Sequence, residues 1–263
     1  MTRIIKAELM RLVRRRTVFV ALGAALVFAV VATLTVYASA KSTGIADSRQ
    51  GGTTLAELAA SRGATHAFAV GASFAGFLVF VTFIAVISAE FSGGTFRALL
   101  IRDPHRMRLI VGKVVGLLLV AAAVAAAAEL FSVVISIMVA PTRDVDTSAW
   151  FSSAGLGHAA LDYFTVMVGV AGWAVFGSTL AVIFRSAPLA LGVGFAWAGP
   201  FENIVVDSWS TGYRVFPGQV LGAVIQGGSP EVSLARAVLT GVVYVGIAAA
   251  ATAALLVRRD VSS

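Results

Sequence analysis

Residues 89–113 read Ala89-Glu90-Phe91-Ser92-Gly93-Gly94-Thr95-Phe96-Arg97-Ala98-Leu99-Leu100-Ile101-Arg102-Asp103-Pro104-His105-Arg106-Met107-Arg108-Leu109-Ile110-Val111-Gly112-Lys113. This basic stretch lies between two apolar runs, each long enough to cross a bilayer, so it must emerge on one membrane face. It carries Arg97, Arg102, Arg106, Arg108 and Lys113, and the positive-inside rule makes that face cytoplasmic. Glu90 falls where the preceding apolar helix ends. Gly93-Gly94 lets the backbone turn. Phe96, Leu99 and Leu100 share one face of a short helix over 95–101. Asp103-Pro104 reads as a cap followed by proline at a first helical position, starting a helix that runs into the next apolar span.

Working outward, the composition is that of a polytopic membrane protein. Of 263 residues, 59% are hydrophobic and 13% charged, against about 25% charged in soluble domains. Spans of this kind must be helical, because backbone groups in lipid can bond only within their own segment. No cysteine is present, which excludes disulfides and thiolate metal sites. The net charge of +7 sits at the ends of apolar runs and therefore does not point to nucleic acid.

The reading is an all-α integral membrane protein, a single domain over 1–263. Its expected spans are 17–38, 66–89, 109–140, 158–184, 187–198 and 233–257. Residues 3–16 form an N-terminal amphipathic helix, with Ile5, Leu9, Leu12 and Val13 on one side, suited to the headgroup layer. Residues 39–65 and 141–157 are external loops, with a short helix over 54–61. Gly199-Pro200 is expected to interrupt the fifth span, leaving 199–228 as short external or re-entrant helices. Fourteen of the 20 Lys and Arg then fall inside and six outside, so both termini are cytoplasmic. No leader peptide is read at the N-terminus, where the first apolar run is too long for a signal core.

The segment Glu90…Gly94-Thr95…Pro104-x-Arg106…Lys113 resembles the first cytoplasmic loop of ABC exporter permeases with a type 2 membrane domain. In motif the resemblance covers 89–113; in span count and orientation it covers essentially the whole chain. It implies a permease subunit that couples ATP hydrolysis on a separate ATPase to substrate translocation, in the plasma membrane of a bacterium. It also implies two ATP-binding subunits, a second permease copy or paralogue, and ATP with Mg on the partner rather than here. The coupling residues it implies are Glu90, Gly94, Thr95, Phe96, Arg97, Leu99, Leu100, Pro104, Arg106 and Lys113, with Glu90 and Arg97 setting orientation.

No G-x-x-x-x-G-K-[ST], H-E-x-x-H or G-x-S-x-G motif occurs, so an enzyme reading has no positive support. His66, His105 and His158 lack a metal-ligand spacing. Glu129 lies well inside a span, where a carboxylate costs roughly 2.5–3.5 kcal/mol on insertion scales. It reads either as a contact in the translocation path or as a helix-gluing group through Ser132 or Ser136. Asp162 and Glu202, nearer run ends, read as interfacial, as do Trp150, Phe151, Trp209 and Tyr213. Gly112-x-x-x-Gly116 and Gly169, Gly172 and Gly177 mark close helix approaches. The alternative reading is an ATP-independent six-span carrier or scaffold that uses Glu129 for proton coupling.

Overall fold

The computed structural model describes residues 2–41, 52–93 and 105–258. Among these residues every named element is helical. They are α1 (Thr2–Leu12), α2 (Arg15–Ser39), α3 (Leu55–Ala59), α4 (Gly63–Ser92), α5 (Arg106–Val139), α6 (Ser153–Phe184), α7 (Ala187–Ala196), a π-turn (Trp197–Phe201), α8 (Glu202–Ser208), α9 (Pro217–Ile225) and α10 (Leu234–Arg258). Short 3-10 turns fill the joins at Ala140–Arg143, Ser148–Phe151 and Ser210–Arg214. Six helices among the described residues are long and apolar enough to cross a membrane: Arg15–Ser39, Gly63–Ser92, Met107–Arg143, Ser153–Phe184, Ala187–Ser208 and Leu234–Val257. The chain is therefore a multi-pass membrane protein.

The fifth span departs from the sequence expectation. Gly199-Pro200 does not end the helix. Pro200 has no N–H to donate, so the α-ladder opens there. A π-turn absorbs the defect, with the Glu202 N–H bonding back to the Trp197 carbonyl, and the helix continues to Ser208. Proline preference correctly marked a fault but not its repair.

α4 and α6 form the centre of the bundle, and glycine sets their spacing. A Cβ on Gly177 would lie 2.7 Å from the Phe80 carbonyl oxygen. Gly169 and Gly172 receive the side chains of Ile225 and Leu221 from α9, at 2.2 and 2.5 Å from where a Cβ would stand. The three glycines thus admit a second helix and a short inserted one against a single face of α6. Phe80, Ile84, Val170, Trp173, Leu221 and Ile225 are buried together there. α9 is consequently a buried element, not a surface one: Val220, Leu221, Val224 and Ile225 are each at most 2% exposed.

Interhelical hydroxyl pairs tie the outer helices to this core. Thr33 of α2 meets Ser132 of α5 at 3.2 Å, and Thr179 of α6 meets Thr252 of α10 at 2.9 Å. Such pairs contribute about 0.6 kcal/mol each in membrane bundles. Arg143 donates to the carbonyls of Tyr37 and Ala40, closing the C-terminus of α2. Beside it α3 begins with a reciprocal Thr54–Glu57 capping box. Trp150 does not join an interfacial belt. It is 2% exposed and donates its indole N–H to the Leu58 carbonyl at 2.8 Å.

The glycine spacing gives a direct expectation. Gly177→Ala sets a methyl against the backbone of α4, which cannot yield as a side chain can. It should cost about 1–3 kcal/mol, read as a lower unfolding temperature in detergent. Gly246→Ala, with nothing within 4 Å of the new carbon, should leave that temperature unchanged or slightly raised. Equal behaviour of the two variants would contradict this packing.

Candidate functional site

The described feet of the basic segment meet at a cluster of four charges. Lys113, in the second turn of α5, places its ammonium 2.7 Å from Glu90 Oε1 and 3.2 Å from Glu8 Oε1. Arg11 donates to Glu90 Oε1 at 3.0 Å and stands 3.8 Å from Glu8. Two cations and two carboxylates balance to zero. The Glu90, Lys113 and Glu8 side chains are only 8, 10 and 11% exposed. The hydrogen bond to Glu90 raises the pKa of Arg11 above its ordinary value, so Arg11 keeps its charge.

Local sequence explains why the groups converge. α1 lies across α5 at Gly112 and Gly116. Cβ atoms on these glycines would stand 2.7 Å from Ile4 and 3.1 Å from Glu8. The small-x-x-x-small pattern is therefore the seat of α1, with Lys113 rising beside it. The face that α1 turns to the bundle carries Ile4 and Glu8, and Met10 and Val13 are left exposed. Leu109, Ile110, Val182 and Leu256 close the apolar side of the same end, with Ile4 and Phe91 packed on them.

Of the ten residues singled out for coupling, the structure brings together Glu90 and Lys113. Glu90 turns inward, so its carboxylate serves the junction of α1, α4 and α5. Gly94, Thr95, Phe96, Arg97, Leu99, Leu100 and Pro104 lie outside the described residues. Arg106 opens α5, and its side chain is likewise outside them. Glu8 and Arg11 are the members that the sequence reading missed. Their signal was present: an acidic residue in an otherwise basic amphipathic helix, one turn from an arginine.

Glu129 is half-buried on α5, and its Oε1 is enclosed without a hydrogen-bond partner. Ser132 does not serve it, being engaged with Thr33. At the opposite end of the bundle Asp162 is 1% exposed. Arg62 Nε donates to both its oxygens at 3.0 and 3.2 Å, and the Thr65 hydroxyl donates at 2.7 Å. Arg62 also donates to the Gln226 carbonyl at 2.7 Å, holding the C-terminus of α9. Glu202 is fully buried as well. His66 pairs with the Thr53 hydroxyl at 2.9 Å, and among the described residues no group of His and acidic side chains could hold a metal.

A protein-family model described as ABC-2 family transporter protein matches residues 4–196. That range takes in the four-charge cluster, the basic segment and the first four spans. Comparison with curated proteins gives no match.

Lys113→Met removes the cation that faces both buried carboxylates, Glu8 and Glu90. Breaking a buried pair in this way should cost roughly 3–5 kcal/mol, read by unfolding in detergent. Lys113→Met combined with Glu90→Gln should recover a large part of that loss. A double variant as unstable as the sum of the two single ones would show that the contact carries no coupling energy.

Proposed function

Because the chain belongs to the ABC-2 transporter family and is a permease component, we propose that it couples ATP hydrolysis on a partner ATPase to export. The carrying observation is the buried quartet Glu8–Arg11–Glu90–Lys113. It ties both feet of the 94–104 segment, and the N-terminal helix, into one body. A push delivered to that segment would then move α1, α4 and α5 together instead of bending a loose loop. This suits a rigid-body switch between inward-open and outward-open states.

In this reading the Lys113 end of the bundle and both termini face the cytoplasm of a bacterial cell, with α1 at the headgroup layer. Phe96, Leu99 and Leu100 enter a groove of the ATPase, Arg97 sets the orientation, and Glu90 and Lys113 act as the anchor behind them. A second permease copy or paralogue completes the pore, and ATP and Mg reside on the partner. Glu129, with an enclosed and unpartnered oxygen in mid-span, is the candidate contact along the path. The same oxygen supports the runner-up reading, a proton-coupled carrier without an ATPase.

Affinity purification of the tagged chain from its own membranes, followed by mass spectrometry, separates the two. A P-loop ATPase should accompany the wild-type chain. Leu99→Asp with Leu100→Asp should reduce its recovery at least about tenfold, the equivalent of 1.4 kcal/mol, while membrane insertion is unchanged. Recovery of the oligomeric chain with no ATPase, or undiminished capture by the double variant, would overturn the coupling reading.

A further inference from the structure

Glu202 follows the π-turn and is 0% exposed. It borders a half-open cavity of about 290 Å³ lined chiefly by Phe80, Trp173, Phe176, Trp197 and Pro217. That volume is at the small end of the roughly 300–1,000 Å³ typical of small-molecule sites. Glu202 Oε2 accepts from the Gln219 N–H at 3.2 Å, at the N-terminus of α9. The Gly218 N–H and the Trp197 indole also face the carboxylate. Oε1 is buried and has no hydrogen-bond partner.

The three groups hydrogen-bonded to Glu202, the Gly218 and Gln219 N–H and the Trp197 indole, are all donors. Donors and a helix N-terminus favour the ionised carboxylate, whereas burial opposes it. A protonated carboxyl would need an acceptor for its O–H, and the walls described here are carbon. Among the described residues no cation lies within ion-pair distance of Glu202, unlike Asp162, Glu8 and Glu90. The Trp173 N–H does not supply a second anchor for a bridging water. That edge of the indole is directed at Gly76, and the opposite edge at Gly218.

A charge of the right sign inside the cavity satisfies all of these conditions at once. A metal ion would require several oxygen or nitrogen ligands, and one carboxylate oxygen is offered. An anion is repelled. A neutral apolar molecule leaves the oxygen desolvated. An organic cation meets the carboxylate with its charge and the aromatic walls with its carbon. Phe80 and Trp173, in tilted contact with ring centroids 5.1 Å apart, both line the cavity, and an aromatic lining attracts a desolvated cation. We infer that the Glu202 cavity is a binding site for a lipophilic organic cation, of the size of a small quaternary ammonium. The π-turn is part of the construction. It carries Trp197 to the cavity and sets Glu202 directly after the widened turn, where such turns commonly serve function.

The inference does not depend on ATP coupling, and its test needs no ATPase. The full chain in lipid nanodiscs is titrated calorimetrically with benzyltrimethylammonium and with its uncharged isostere neopentylbenzene, subtracting empty nanodiscs. The wild-type chain should bind the cation at least about tenfold more tightly than the isostere, the scale of a desolvated cation–π contact with a carboxylate. Glu202→Gln keeps an acceptor for the α9 N-terminus and should abolish that preference while leaving isostere binding in place. Trp173→Leu should weaken the cation severalfold. Equal affinity for the two probes in the wild-type chain, no binding of the cation, or a preference that persists in Glu202→Gln would each overturn the site. The wild-type comparison decides the matter even if a variant fails to fold.

Discussion

The contact on which the rest depends is Lys113 between Glu90 and Glu8. An ammonium so little exposed is affordable in an apolar bundle only when its charge is cancelled nearby. Cancellation requires carboxylates from two other helices, and Arg11 then balances the second of them. The requirement sets geometry. Glu8 reaches Lys113 only because α1 lies nearly on the backbone of α5, and it lies there only because Gly112 and Gly116 have no side chains. Electrostatics and packing at this end are therefore one constraint. Filling either glycine would separate charges, and removing a charge would leave a seat without reason to be occupied.

The opposite end solves the same problem differently. Arg62 pairs with Asp162 through Nε and Nη2, the Thr65 hydroxyl joins them, and the same Nη2 also donates to the carbonyl at the end of α9. Planar bidentate pairing gives orientation as well as attraction. Between the two ends α4, α6 and α9 meet through glycine and aromatic side chains, with no charge pair. A body pinned by ions at both ends and packed tightly through the middle moves as a unit. α2 and α10 present mostly apolar exposed surface and are joined to the centre by apolar packing at Val36, Tyr37 and Leu256 and by the hydroxyl pairs Thr33–Ser132 and Thr179–Thr252.

The spans were legible because hydropathy averages over many residues, and a single misread residue changes little. The glycines of α6 were legible as close approaches, though not their partners: Ile225 and Leu221 come from a segment expected as short external or re-entrant helices, with no sign of which span they would meet. Glu90 and Lys113 stood out by position in the basic stretch. Their mutual contact could not be seen, since it is made across the fold of α5 against α4 and completed from α1. Asp162 looked interfacial because it sits near the end of an apolar run. Its partner, Arg62, is one hundred residues earlier, and no local pattern carries that information. Pro200 misled for a related reason. Its preference is a local property, whereas the continuation of the helix into α8 is set by packing around the π-turn, with Trp197, Phe201 and Phe216 in mutual ring contact.

These pairings also set apart the carboxylates that lack one. Glu8, Glu90 and Asp162 each face a cation and account structurally for their burial. Glu129 and Glu202 have no such partner among the described residues, and each retains an enclosed oxygen without a hydrogen bond. Aromatic or aliphatic side chains would fill either position at lower cost to the folded bundle. One oxygen of Glu202 holds the N-terminus of α9, and its other oxygen, like Glu129 Oε1, is left without that role. Glu202 has a cavity before it and donors behind it, which orients its charge into space. Glu129 is half-buried on α5 with its Oε1 enclosed in the bundle, beside a flank where Leu130 and Val134 are exposed. One carboxylate thus addresses a cavity along the fifth span, and the other keeps its oxygen enclosed within the bundle on α5.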